Sequence, residues 1–101
     1  MDKTTPTLEE LLILLKLFKK KQGEEFRLQS IGVFGSFARN EATPESDVDI
    51  VFTTDDPNLF RTARMKEELE ELLSRHIDLI RWREQMNPRL QARIAREAHY
   101  A

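Results

Sequence analysis

The chain has 101 residues, 40% of them hydrophobic, enough for one core and too few for two, so residues 1–101 are expected to form a single domain. Its 16 basic and 18 acidic residues leave a net charge of −2, which argues against nucleic-acid binding through bulk charge. With no cysteine, disulfides and thiolate metal sites are excluded, and the composition suits a reducing cytoplasm.

Met1-Asp2-Lys3-Thr4-Thr5-Pro6 is polar, and the apolar run from Leu11 to Leu15 is broken by Lys16, far short of the roughly 20 residues of a membrane span. No membrane contact is expected. Thr7-Leu8-Glu9-Glu10 reads as a capping box and predicts a helix from about residue 8 to 22, with Gly23 as its stop. Leu8, Leu11, Leu12, Leu15 and Phe18 form an apolar stripe that Ile13, Leu14 and Leu17 widen. That width admits two readings, a deeply buried helix or a surface for a partner.

Residues 27–34 end in Ser30-Ile31-Gly32-Val33-Phe34, a short apolar run that suits a strand buried on both faces. Gly35-Ser36 stops it. Phe37-Ala38-Arg39 predicts one helical turn, and Asn40 to Pro44 is turn chemistry. In a second strand, about 46–53, Val48, Ile50 and Phe52 fall on one face and Asp47 and Asp49 on the other.

Asp56-Pro57 predicts the start of a helix over about 57–74, with Phe60, Met65, Leu69, Leu72 and Leu73 facing inward. His76-Ile77-Asp78-Leu79-Ile80-Arg81-Trp82 is a third strand. Asn87-Pro88 caps a last helix, about 88–98, with Leu90, Ile94 and Ala98 inward. There is no internal repeat, linker or low-complexity tract. Strands alternating with helices predict an α/β or α+β fold, a small mixed sheet of about three strands packed with about four helices.

The chemistry concentrates in two places. After Phe34 the backbone must turn sharply, and Gly35 lets a phosphate approach where a Cβ would block it. Free amides there, with the Ser36 hydroxyl, would make an anion cradle; an ordinary capped turn is the alternative. Asp47 and Asp49 put two carboxylates on one side of a strand, where they repel unless a cation sits between them. Hard oxygen ligands beside a triphosphate select magnesium. Asp78, flanked by Ile77 and Leu79, offers a third carboxylate. Such acids could bind two metals in an in-line displacement, with Asp78 as the candidate to accept or orient a hydroxyl proton.

Gly35-Ser36, the ten-residue gap, Asp47-Val48-Asp49 and Asp78 in a later strand resemble the signature of the polymerase-β-like nucleotidyltransferase superfamily. More narrowly, from about residue 25 to the end, including Phe37-Ala38-Arg39 and Arg96-Glu97-Ala98-His99-Tyr100, the chain is similar to the minimal nucleotidyltransferase antitoxins, whose partners are helical HEPN ribonuclease toxins. The resemblance implies a nucleotidyltransferase fold and transfer of AMP from ATP to a hydroxyl. It implies Asp47, Asp49 and Asp78 as catalytic and metal-binding residues for a magnesium pair, and Gly35 and Ser36 as nucleotide-binding. Arg39 and Ser46 complete the nucleotide-binding candidates, although Arg39 could equally pair with Glu41 or Glu45. Asn40 stands where related sequences often carry glycine.

Larger relatives use an added domain to grip the acceptor, and nothing here is left over for one, so the acceptor is expected on another macromolecule. The antitoxin likeness makes that acceptor a tyrosine of a HEPN toxin held in a hetero-oligomer. Two alternatives stand beside it, a non-catalytic module that masks a partner and a nucleotidyltransferase acting on a small molecule such as an antibiotic. His76 and His99 are too far apart in sequence to suggest a metal pair. Arg81, Arg83, Arg89, Arg93 and Arg96 read as a solvated basic face, Trp82 as packing, and Tyr100 lacks an activating neighbour.

Overall fold

A computed structural model describes residues 5–101, and the polar opening Met1-Asp2-Lys3-Thr4 lies outside the described residues. The capping box forms as the sequence predicts: the Thr7 hydroxyl accepts from the Glu10 amide at 3.1 Å, and the Glu10 carboxylate accepts from the Thr7 amide at 2.9 Å. It starts helix α1 (Leu8–Gln22), which stops at Gly23. Strand β1 (Leu28–Phe34) follows, then β2 (Val48–Thr54), helix α2 (Leu59–Leu73), strand β3 (Ile77–Arg81), helix α3 (Pro88–Glu97) and a short β4 (His99–Tyr100).

The sheet order is β3-β2-β1-β4. β1 runs antiparallel to both neighbours and β2 parallel to β3, with α2 as the crossover a parallel pair requires. Strand alternation then divides the apolar residues between two faces. On one, Ile31, Val33, Val48, Ile50, Phe52 and Ile77 pack against Leu11, Leu15 and Phe18 of α1 and Met65, Leu69 and Leu73 of α2. On the other, Phe34 and Val51 pack under Ile94 of α3, flanked by Ile80, Trp82, Met86, Leu90 and Ala98. Asp49 falls on this second face, away from Val48 and Ile50.

The mixed α+β fold is as expected, with four strands and three helices in place of three and four. Phe37-Ala38-Arg39 makes the single helical-type turn expected, Arg39 N–H bonding the Gly35 carbonyl four residues back at 3.0 Å and Asn40 N–H the Phe37 carbonyl at 3.3 Å, but it does not continue into a helix. The added strand is β4, whose His99 and Tyr100 pair with Val33 and Gly32. Gly32 is what lets it pass: a Cβ there would lie 2.7 Å from the His99 carbonyl oxygen and 2.8 Å from Cδ1 of Tyr100.

Two faces also differ from expectation. The Asn58 side chain, and not Asp56, caps α2 by accepting from the Arg61 amide at 2.9 Å. Inward residues then fall at Met65, Leu69 and Leu73, four apart, and Phe60 lies roughly 140° around the helix from Met65. Phe60 is 87% exposed and Leu72 43%. In α1, Leu11, Leu15 and Phe18 are buried while Ile13 and Leu17 stand exposed, so the wide apolar face is split between core and surface. No helix among the described residues is long and apolar enough to cross a membrane.

The corrected phase of α2 is open to a stability test. Leu69→Ala is expected to lower the unfolding free energy by about 2–5 kcal/mol in urea titration, and Phe60→Ser to change it by less than about 0.5 kcal/mol.

Candidate functional site

The antiparallel register pairs Phe34 with Asp49, and the parallel register pairs Asp49 with Asp78. The turn that follows β1 therefore stands beside Asp49, and Asp49 beside Asp78, across three adjacent strands. Gly35 adopts φ +78°, a left-handed conformation that costs other residues roughly 1–2 kcal/mol. A second constraint is steric. A Cβ at Gly35 would lie 2.0 Å from Oδ2 of Asp49, so the carboxylate is seated against the glycine itself.

Asp49 is half-buried, and its carboxyl pKa is raised, first by burial and then by the charge of Asp78, with Asp47 adding to it. Arg93 and Arg39 oppose the rise. Asp78 and Asp47 are exposed, Asp47 just before β2 with an oxygen 3.8 Å from Nδ1 of His76. His76 also lies 3.9 Å from Glu70, whose carboxylate accepts from the Ile77 amide. His99, on β4, is remote from that pair.

No three acidic or histidine side chains among the described residues gather closely enough to enclose a metal ion. The donors still fit magnesium in the form that takes one or two carboxylates and completes its shell with phosphate oxygens and water. Asp49 supplies the observation for that fit: a half-buried carboxyl made reluctant to ionise by two neighbouring acids is one that a hard cation would relieve.

The turn offers donors beside these acids. Among the described residues no acceptor meets the amides of Ser36, Phe37 and Ala38, and the Ser36 hydroxyl has no partner. Gly35's own amide is taken, donating to Oε1 of Glu97 at 3.2 Å. The same carboxylate oxygen accepts from Nη1 of Arg39 at 3.0 Å and Nε of Arg93 at 3.3 Å. Arg39 also reaches Glu41 at 3.3 Å, while the Ser46 hydroxyl accepts from the Thr43 amide at 2.8 Å and closes a turn. Asn40 holds φ +60°, a left-handed conformation in which asparagine is enriched among the non-glycine residues.

Two further residues shape the site and escaped the sequence reading. Arg75, only 6% exposed, donates to the Pro44 carbonyl at 2.7 Å and stacks over Phe37 at 5.6 Å, pinning the loop that leads into Asp47. Its long range hides it, since 31 residues separate the partners. Glu97 belonged to the closing tail that carried part of the family likeness, with nothing to say that it reaches Gly35. A separate groove, lined by Leu59, Leu79, Ile80, Arg81, Met86 and Leu90, lies at the other end of β3, away from the carboxylates.

The nucleotidyltransferase domain family matches residues 13–100. Protein adenylyltransferase MntA of Thermococcus cleftensis is 43% identical over 75 residues, covering 73% of this chain and 76% of that protein. A solved toxin–antitoxin structure with AMP-PNP superposes with a TM-score of 0.69 at 20% identity, covering 86% of this chain and 70% of that one. A structure of the tri-AMPylated Shewanella oneidensis HEPN toxin in complex with MNT antitoxin gives a TM-score of 0.61 at 19% identity, covering 86% of this chain and 66% of that one. At such identities the two structures show a shared fold.

The contact between Gly35 and Asp49 predicts a coupling. Gly35→Ala should cost at least about 1–2 kcal/mol in denaturant unfolding, and part of that cost should vanish in the Asp49→Ala background, where the clash is gone. The raised carboxyl of Asp49 has a definite sign. The unfolded chain ionises first as pH rises, so Asp49 costs stability above the ordinary carboxylate range and none below it. Asp49→Asn should therefore melt above the parent at pH 7, with the gap closing as pH falls below that range.

Proposed function

The chain belongs to the nucleotidyltransferase domain family, and from that premise we propose that it transfers AMP from ATP to a tyrosine hydroxyl of a HEPN ribonuclease toxin, acting as its antitoxin in the cytoplasm. The observation that carries this reading is the alignment of Gly35, Asp49 and Asp78 across three adjacent strands. Asp47 and Asp49 would supply carboxylates to magnesium that completes its shell with phosphate oxygens and water, with Asp78 as the third acid of the expected pair; when bound, the metal would neutralise triphosphate charge and ease the departure of pyrophosphate.

The chain's own groups do the rest. The Ser36, Phe37 and Ala38 amides and the Ser36 hydroxyl bind phosphate oxygens, and Arg39 adds charge-assisted bonds. Ser46 contributes to the nucleotide site through the turn it closes ahead of Asp47. Asp78, exposed at the rim, takes the proton of the attacking hydroxyl. An oxygen–phosphorus bond forms at the α-phosphate as the bond to the β-phosphate oxygen breaks, and pyrophosphate leaves with the electron pair.

Support for a protein acceptor comes from the relative named a protein adenylyltransferase and from the fold shared with an MNT antitoxin complex that contains an AMPylated HEPN toxin. AMP on a tyrosine adds bulk and negative charge, which would repel RNA at a ribonuclease site. A second reading, stoichiometric masking, draws on the exposure of Ile13 and Leu17, with Leu72 in the adjoining groove between α1 and α2.

Incubation with α-labelled ATP, magnesium and the product of the adjacent gene should label a tyrosine of that protein. Asp47→Ala and Asp49→Ala should reduce labelling at least about 100-fold, and Asp78→Asn should slow transfer by about 10²- to 10⁴-fold while ATP still binds. An unlabelled toxin that is nevertheless neutralised, in a complex that survives EDTA and the aspartate substitutions, would establish masking instead.

A further inference from the structure

The sequence reads Arg93 as part of a solvated basic face, but its guanidinium lies inward over the Phe34 ring at 5.6 Å, at the end of β1. Phe34 is the register partner of Asp49 and the residue before Gly35. Arg93 and Arg39 both act on Asp49 electrostatically, so both stand at the carboxylate end of the sheet. One carboxylate joins them: Oε1 of Glu97, whose side chain is 11% exposed, accepts from Nε of Arg93, Nη1 of Arg39 and the Gly35 amide.

The donor count is informative. A guanidinium has five N–H donors in a fixed plane. Glu97 engages Arg93 only through Nε, leaving both terminal nitrogens of Arg93 without an acceptor among the described residues. Arg39 is held through Nε by Glu41 and through Nη1 by Glu97, leaving Nη2. Each arginine is thus anchored along one edge with another left over, and the Glu97 oxygen that anchors both also holds the Gly35 amide, next in the chain to the unpaired amides of Ser36, Phe37 and Ala38. Planar forked donors of this kind match phosphate oxygens better than single point charges do.

We propose that Arg93 is a second phosphate-contacting arginine, acting with Arg39 on the β- and γ-phosphates, and that Glu97 is the positioning residue that fixes both beside Gly35. The inference rests on the reading of this site as the donor side of a nucleotidyl transfer. On it, discrimination of triphosphate from monophosphate depends on α3 as well as on the Gly35-Ser36 turn.

Fluorescent ATP and AMP analogues, titrated with magnesium into the full chain, test it apart from the acceptor. Arg93→Met keeps an apolar stem over Phe34 and is expected to weaken ATP-analogue binding about 10- to 100-fold while AMP-analogue binding stays within about twofold, with Arg93→Lys restoring part of the loss. Glu97→Gln retains an acceptor for Gly35 and both positive charges, and is expected to lower kcat for AMP transfer about tenfold with KM for ATP unchanged. ATP-analogue binding by Arg93→Met within twofold of the parent, or an equal fall for both analogues, would overturn the role of Arg93. An unchanged kcat in Glu97→Gln, or a fall accompanied by weaker binding of both analogues, would overturn that of Glu97. A parent chain that neither distinguishes the two analogues nor transfers AMP would instead sink the nucleotidyl-transfer reading, and this inference with it.

Discussion

A carboxylate seated against a glycine is the contact on which the site depends. Asp49 can occupy its place only because Gly35 has no Cβ, and the chain can leave β1 at that point only because glycine tolerates a positive φ. One residue type thus satisfies a steric demand from a neighbouring strand and a conformational demand of its own. The space expected from the sequence to admit a phosphate is filled by the Asp49 carboxylate. The antiparallel register of Phe34 with Asp49 fixes the meeting, and the parallel register of Asp49 with Asp78 extends it by one strand.

Around that glycine the charges are arranged in opposition. On one side Asp49 is held above the ordinary carboxylate range by burial, Asp78 and Asp47. On the other, burial pushes the Glu97 carboxyl up, but the Gly35 amide, Arg39 and Arg93 more than reverse it. Two carboxylates on either side of a single residue are driven in opposite directions by their neighbours. One is left in need of a cation and the other is already satisfied by cations, which assigns them different tasks in one small site.

Much of this was legible in the sequence because it rests on local rules. The Thr7 capping box, the Asn87-Pro88 helix start and the alternation of Val48, Ile50 and Phe52 with Asp49 are decided by short-range geometry. The failures are also instructive. Phe60 is apolar, but it lies roughly 140° around α2 from Met65 and so faces outward, which composition alone does not reveal. Phe37-Ala38-Arg39 makes one helical-type turn and stops there, so it adds no fourth helix. β4 is two residues long and could not be seen, since its only signal is Gly32 on a distant strand.

The sequence by itself determined the carboxylates, the turn and the strands that bear them, because alternation and spacing fix which side chains share a face before any tertiary contact forms. Only the tertiary structure decided how those pieces meet. Strand order brings Gly35, Asp49 and Asp78 into line, α3 returns Glu97 to Gly35 across 62 residues, and Arg75 reaches back 31 residues to hold the loop before Asp47. Such contacts leave no periodic trace, because hydrogen bonds and ion pairs between distant segments depend on where the folded backbone carries each group and not on the residues beside it in the chain.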